Sequence, residues 1–323
     1  FQRSSNARNH SQLMSEFSVE VVAHRACRVG ENPLWDERRQ SLFWCDILGG
    51  EIYCWNLASG AVRVVYRGEI CGAFTLEENG DLLLLRDREL ALLDVENGQV
   101  QTLRREVVPP TGRFNDALAA PDGAVFSGTI DPVDDWHGQG GALFQIAPDA
   151  SAQTLFRGTA CSNGLAFTPD LCGLYWSDST SRTLYRFDYN AQTGQARNPQ
   201  IWLRLGENES VPDGLCVDCA GNVWLALFGA SCVRCYSPQA HLRANLVFPT
   251  PKITSCVFGG PDLSELFVTS AGGDRSLNAN SPDAKSQNLA GALFRVRRTK
   301  TDGPKGFFQG QSEFRSKFGP FAN

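Results

Sequence analysis

Four short segments carry side chains that could act together on a polar substrate. Glu31 sits in Gly30-Glu31-Asn32-Pro33, Asn115 in Arg113-Phe114-Asn115-Asp116, Asn163 in Ser162-Asn163-Gly164, and Asp213 in Pro212-Asp213-Gly214. If these converge, two carboxylates crowd one spot, and one of them protonates unless a cation lies between them. Carboxylate and amide oxygens without thiolate favour a hard or borderline divalent ion: Ca, Mg, Mn, Zn or Fe(II). So few protein ligands leave open positions for water and substrate, as metal-assisted hydrolysis requires. The competing reading is that Asn-Gly and Pro-Asp-Gly are ordinary turn dipeptides between strands. Pro121-Asp122-Gly123 reads as such a turn.

Other chemistries find little support. The four histidines, His10, His24, His137 and His241, show no ligand spacing. No G-x-S-x-G elbow, P-loop or H-E-x-x-H is present, and Gly138-Gln-Gly-Gly141 reads as loop. Eleven cysteines are many. Cys216, Cys219, Cys232 and Cys235 form C-x2-C-x12-C-x2-C, close to a zinc-ribbon spacing. They read instead as small apolar core residues on two neighbouring strands, because Cys216 and Val217 sit in an alternating strand and Cys219-Ala220-Gly221-Asn222 reads as a turn.

The elements that would position these groups recur along the chain. Asn32 to Asp46 and Gly164 to Asp178 are both a short apolar strand, a polar turn, a second apolar strand and then Asp. Similar units begin near Gly72, Asn115, Asp213 and Ser255. Each adds a third strand: Ile52 to Trp55, Leu90 to Leu93, Ala142 to Ile146, Thr183 to Phe187, Cys232 to Tyr236 and Ala292 to Val296. A more polar fourth strand follows most of them, as in Val62 to Val65. Helical periodicity is nearly absent. Unit spacings of 41 to 50 residues with four short strands each predict an all-β, six-bladed β-propeller. An unclosed ring would leave an open edge, so Val19 to Ala23 is expected to supply the outer strand of the last blade.

In a propeller the first strand of each blade lines the central axis, so equivalent repeat positions become spatial neighbours. Glu31, Asn163 and Asp213 then point to one spot at the channel mouth, with Asn115 beside them. The second and sixth units bring Cys71-Gly72-Ala73 and Thr254-Ser255-Cys256, which carry no charge.

Bulk properties bound the partners. A net charge of −5 over 323 residues gives nothing that attracts a phosphate backbone, so nucleic acid is not expected. No apolar run approaches the roughly 18 residues that span a bilayer; Leu82 to Leu85 stops at a charge. Without a signal-peptide pattern the cysteines read as reduced and the protein as cytoplasmic. Residues 1–16 read as a tag or disordered tail with Met14 as the natural start, 17–300 as the propeller, and 301–323 as a C-terminal tail of unknown structure. A closed ring needs no partner edge, so a monomer is expected.

Gly-Glu-Asn-Pro-Leu-Trp from Gly30, Arg-Phe-Asn-Asp from Arg113, Ser-Asn-Gly-Leu-Ala-Phe from Ser162 and Val-Pro-Asp-Gly-Leu-Cys-Val-Asp from Val211 together resemble the regucalcin (senescence marker protein)/gluconolactonase family. The resemblance spans Ser18 to Arg298 with the motifs in order. It implies a six-bladed propeller that hydrolyses sugar lactones with a divalent metal. It implies Glu31, Asn163 and Asp213 as metal ligands and Arg113 and Asn115 as substrate-binding residues, Asn115 also reaching the metal through water. One segment departs from the pattern. Acidic residues that family members place after Gly-Thr-Met correspond here to Asp131, Asp134 or Asp135 in Asp131-Pro-Val-Asp-Asp-Trp-His137, or the contact is lost. The bland alternative is a solvated loop.

The expected reaction is hydrolysis of an aldonolactone to the aldonic acid, with the metal as Lewis acid and Asp213 as general base. Two alternatives stand beside it: a lactonase or esterase for non-sugar substrates, and a divalent-metal-binding propeller without turnover.

Overall fold

The structure is a computed structural model that describes residues 16–110, 112–131, 138–272, 289–299 and 306–319. Every named element in it is a strand, and the strands form six four-stranded antiparallel sheets. β1 is Phe17–His24. The first blade is β2 (Gly30–Asp36), β3 (Ser41–Asp46), β4 (Glu51–Asn56) and β5 (Val62–Arg67). The second is β6 (Cys71–Leu76), β7 (Leu82–Arg86), β8 (Glu89–Leu93) and β9 (Val100–Arg104). The third is β10 (Arg113–Ala119), β11 (Val125–Ile130), β12 (Gly141–Ile146) and β13 (Ala152–Thr159). The fourth is β14 (Ser162–Phe167), β15 (Gly173–Asp178), β16 (Thr183–Asn190) and β17 (Gln195–Arg204). The fifth is β18 (Val211–Val217), β19 (Val223–Phe228), β20 (Cys232–Tyr236) and β21 (Leu242–Val247). β22 (Ile253–Gly259), β23 (Glu265–Ser270) and β24 (Ala292–Arg298) begin the sixth.

The fold is a six-bladed β-propeller. β1 completes the sixth blade by pairing antiparallel with β24, from Phe17 opposite Arg298 to His24 opposite Ala292. The third strand of each repeat predicted from sequence appears as β4, β8, β12, β16, β20 and β24. Central strands such as Ser41–Asp46 and Gly173–Asp178 are buried along their whole length, because neighbouring blades cover both faces. The core is therefore laid between blades, as in the stack of Trp35 on Phe267 with ring centroids 5.6 Å apart.

Aspartate at the end of the second strand is a structural device. In the first blade Asp46 accepts the backbone N–H groups of Arg28, Val29 and Gly49 at 2.9, 3.0 and 3.1 Å. In the fourth, Asp178 accepts Thr159 Oγ1, Thr180 N–H and Ser181 Oγ at 2.7, 3.1 and 2.7 Å. Each ties the connection leading into its blade to the turn after its second strand, satisfying donors that irregular backbone leaves over.

All six innermost strands are irregular near their opening. The pairing register shifts between Glu31 and Leu34, Cys71 and Ala73, Phe114 and Asp116, Asn163 and Leu165, Pro212 and Leu215, and Ile253 and Ser255. A β-bulge re-aims a side chain that a regular strand would send into the sheet face. Here it turns equivalent positions toward the axis. The strands also pass very close together. A Cβ on Gly72 would sit 1.9 Å from the Phe114 carbonyl oxygen, so only glycine lets β6 run beside β10.

Residues 306–319 cross the other end of the channel as a strap. In each blade they touch the end of the first strand or the turn after it. Phe308 N–H donates to Asp218 at 3.3 Å, Cys219 N–H to the Gln309 carbonyl at 2.7 Å, and Gly310 N–H to the Leu263 carbonyl at 2.8 Å. Phe314 packs edge-on against Phe167 with centroids 5.8 Å apart. Arg315 pairs with Asp36 at 2.7 Å, Ser316 N–H donates to the Leu76 carbonyl at 2.8 Å, and Lys317 N–H to that of Gly123 at 3.1 Å. Between strap and bulges lies a cavity of about 90 Å³ lined by Asn32, Asp116, Cys216, Ser255, Glu313 and Phe314.

Candidate metal and active site

The bulges bring the sequence-selected residues to the channel mouth. Glu31, Asn163 and Asp213 are about 5% exposed, and Asn115 little more. Glu31 accepts the N–H of Asn32 at 2.9 Å and shares a hydrogen bond with Asp213. Asn32, held at φ 47°, uses its own Oδ1 to accept the Phe74 N–H at 2.6 Å, which pins the bulge to the second blade.

The two carboxylates are expensive to ionise together. Burial, then the charges of Asp213 and Asp116, push the Glu31 carboxyl well above the usual range. Burial, then Asp116, does the same to Asp213. Burial also pushes Asp116 up to about 7, against N–H donors from Ala117 and Gly164. No ion pair among the described residues includes any of the three.

The amides complete the arrangement. Asn115 donates from Nδ2 to Asn163 Oδ1 at 2.7 Å and to the Ser162 carbonyl at 3.0 Å. Arg113 donates from Nη1 to Asn115 Oδ1 at 3.1 Å and to the Phe114 carbonyl at 2.8 Å. Asn163 donates from Nδ2 to Ser179 Oγ at 2.9 Å. Cys161 lies beside them, its Sγ 3.4 Å from Asn163 Nδ2, and burial pushes its thiol up.

This donor set fits a hard divalent cation. It offers an amide oxygen and two buried carboxylates with no cationic partner among the described residues, and a cation between the carboxylates offsets the burial and the neighbouring charge that raise them. Among the described residues no three His, Cys, Asp or Glu side chains are gathered as metal donors; the third oxygen here belongs to an asparagine.

Asp131 is partly buried, and its Oδ2 accepts the Gly140 N–H at 3.3 Å. Asp134 and Asp135 lie outside the described residues. The four cysteines of the zinc-like spacing are dispersed. Cys216 Sγ lies 3.6 Å from Cys256, and Cys219 Sγ meets the Gly310 carbonyl of the strap at 2.9 Å. Cys232 and Cys235 fall in different core clusters, on opposite faces of the fifth blade.

Two residues of this neighbourhood were not selected from sequence. Asp116 follows Asn115 directly, and strand alternation sends neighbours to opposite faces. Only the bulge at Phe114 and Asp116 brings its charge near Glu31 and Asp213. Ser179 stands in the turn after β15, where the sequence carries no chemical signal.

Comparison with known proteins places the chain in a family. Residues 29–272 match the family described as the SMP-30/Gluconolactonase/LRE-like region. The chain is 34% identical over 299 residues to a pentonolactonase of Haloferax volcanii, covering 93% of this chain and 98% of that protein. It is 34% identical over 291 residues to regucalcin of Gallus gallus, covering 88% and 95%. A solved structure described as a calcium-binding protein, regucalcin, from Agrobacterium tumefaciens superposes with a TM-score of 0.81 at 25% identity, covering 92% of this chain and 96% of that one. The chain belongs to the SMP-30/gluconolactonase/LRE-like family.

Proposed function

We propose that the protein hydrolyses a sugar lactone to the open-chain aldonic acid, with a divalent ion held by Glu31, Asn163 and Asp213. The pairing of two buried carboxylates beside an amide relay carries this reading. The 34% identity to a protein named pentonolactonase supports lactone as the substrate class. The ion, when bound, supplies Lewis-acid polarisation of the ester carbonyl.

The chain's own residues account for the proton transfers and orientation. Asp213 is the general base: it takes a proton from the attacking water as the new C–O bond forms, and returns it to the ring oxygen as the ester C–O bond breaks. Water is consumed and one hydroxy acid is released. Glu31 balances the ion's charge. Arg113 and Asn115 orient the sugar hydroxyls, and Asp131 and Asp134 are further substrate-binding candidates. With β1 paired to β24, all six blades have four strands, which supports a monomer.

The test is acid release from a panel of aldonolactones, with and without a chelator. Chelator-sensitive release supports the proposal. A second reading is calcium binding without turnover, favoured by the neighbour described as a calcium-binding protein. Calcium binding with no acid release from any lactone selects it.

A further inference from the structure

A single line of hydrogen bonds runs through the mouth from the third blade to the fifth. Arg113 Nη1 donates to Asn115 Oδ1 (3.1 Å), Asn115 Nδ2 to Asn163 Oδ1 (2.7 Å), Asn163 Nδ2 to Ser179 Oγ (2.9 Å), and Ser179 Oγ to the Pro212 carbonyl (2.6 Å). Both ends are chemically fixed: a guanidinium only donates, and a backbone carbonyl only accepts. Every group between them must therefore point one way. Asn115 turns its oxygen to Arg113 and its NH2 to Asn163. Asn163 then turns its oxygen to Asn115 and its NH2 to Ser179.

We propose that Ser179 is a positioning residue that, together with Arg113, fixes the carboxamide of Asn163 with its oxygen toward the cation. The proposal rests on Asn163 being a metal ligand. An amide presents opposite partial charges at its two ends, so a flipped Asn163 would offer NH2 to a cation and repel it. Ser179 is fully buried, so the Asn163 NH2 has no bulk water to turn to in its place; the Cys161 sulfur at 3.4 Å is a weak acceptor. The hydroxyl has a second effect. Its bond to the Pro212 carbonyl holds the backbone next to Asp213, so one side chain spaces an amide ligand of the fourth blade from a carboxylate ligand of the fifth. Outer partners of metal ligands commonly matter about 10- to 100-fold in affinity.

The test is calorimetric titration of the full chain with Ca2+ and Mn2+, for Ser179→Ala in the native background and in an Asn163→Asp background. Aspartate carries oxygen at both ends, so orientation no longer matters there. The expected result is about a tenfold loss of affinity for Ser179→Ala in the native background and less than about a twofold loss beside Asn163→Asp. An equal loss in both backgrounds means a merely structural role and overturns the proposal, as does no loss in the native background. If Ser179→Ala melts before titration, Ser179→Cys keeps the volume with a weak donor, and the same contrast between backgrounds is required. Asn163→Ala separates the two layers. If it leaves affinity unchanged, the ligand assignment itself fails. If it abolishes binding while Ser179→Ala does nothing, only the positioning role fails.

Discussion

Glu77, at the turn after β6, accepts the backbone N–H of Phe318 at 2.9 Å across 241 residues of sequence. The same carboxylate takes the Ser316 hydroxyl, so it clasps the strap beneath the second blade. Burial pushes its pKa from 4.5 to about 7, outweighing those two donors, and Asp81 and Glu78 add to the rise. The nearby cations are committed elsewhere: Lys317 pairs with Glu78 at 3.1 Å, and Arg315 binds the Glu77 carbonyl and Asp36. Glu313, lining the channel cavity, is likewise raised by burial to about 7.

These shifts have a definite sign. The docked strap holds protons that the free chain has lost above the ordinary glutamate value, so docking is strongest below 4.5 and weakens as pH rises through about 7. Protection factors at residues 306–319, with the intrinsic base-catalysed exchange rate divided out, should be lower at about pH 8.5 than at about pH 5.5. Glu77→Gln should flatten the difference. Protection factors that do not change with pH in the native protein contradict this account.

Arg315 ties the strap to a fully buried carboxylate by an ion pair. It meets Asp36 Oδ1 at 2.7 Å while Arg39 takes Oδ2 at 3.0 Å. Burial raises the Asp36 carboxyl, but hydrogen bonds from Arg39 and Arg315 hold it below its usual value. Arg315→Ala should cost about 1–3 kcal/mol, because half of a buried carboxylate loses its partner. Denaturant unfolding would measure it, and a change under about 0.5 kcal/mol would show that Arg39 suffices alone.

Divalent metal should stabilise the fold. An ion at about 100 times its dissociation constant adds about 2.7 kcal/mol, which a melting curve would register as a rise of several degrees. Chelation should reverse it. Glu31→Gln should reduce the rise, and an undiminished rise would place the ion away from the channel mouth.

Asp213 carries two separable roles. Asp213→Asn should lower lactone turnover by about 10²- to 10⁴-fold through loss of the base. In metal-free protein the same change should raise the melting temperature, since it removes one of three crowded buried carboxylates, the one that burial and the charge of Asp116 raise and whose own charge raises Glu31. Unchanged turnover together with unchanged metal content would remove Asp213 from the site.

Much of this was legible in sequence, for a physical reason. Each blade repeats one strand–turn–strand pattern, so equivalent positions could be aligned without structure. Glu31, Asn163 and Asp213 followed from that alignment, as did the closing role of Val19 to Ala23. Asp116 was not legible, because strand alternation predicts the wrong face and only the bulge corrects it. Ser179 was not, because its reach depends on a turn whose shape no residue pattern announces. The strap gave no period to read. Phe308, Phe314 and Phe318 pack into three separate core clusters, so their spacing follows the underside of the ring and matches neither strand nor helix.

The closing strand also sets an order of events during synthesis. Ser18 bonds to Arg297 across 279 residues, so β1 must wait for β24. At about 5–20 residues per second that wait is tens of seconds. For all of it β1 lacks its partner, and its outward valines Val19 and Val21 stay available to any other open edge. The interval between the emergence of β1 and of β24 is thus the period in which a nascent chain is exposed to mispairing with its neighbours on a polysome.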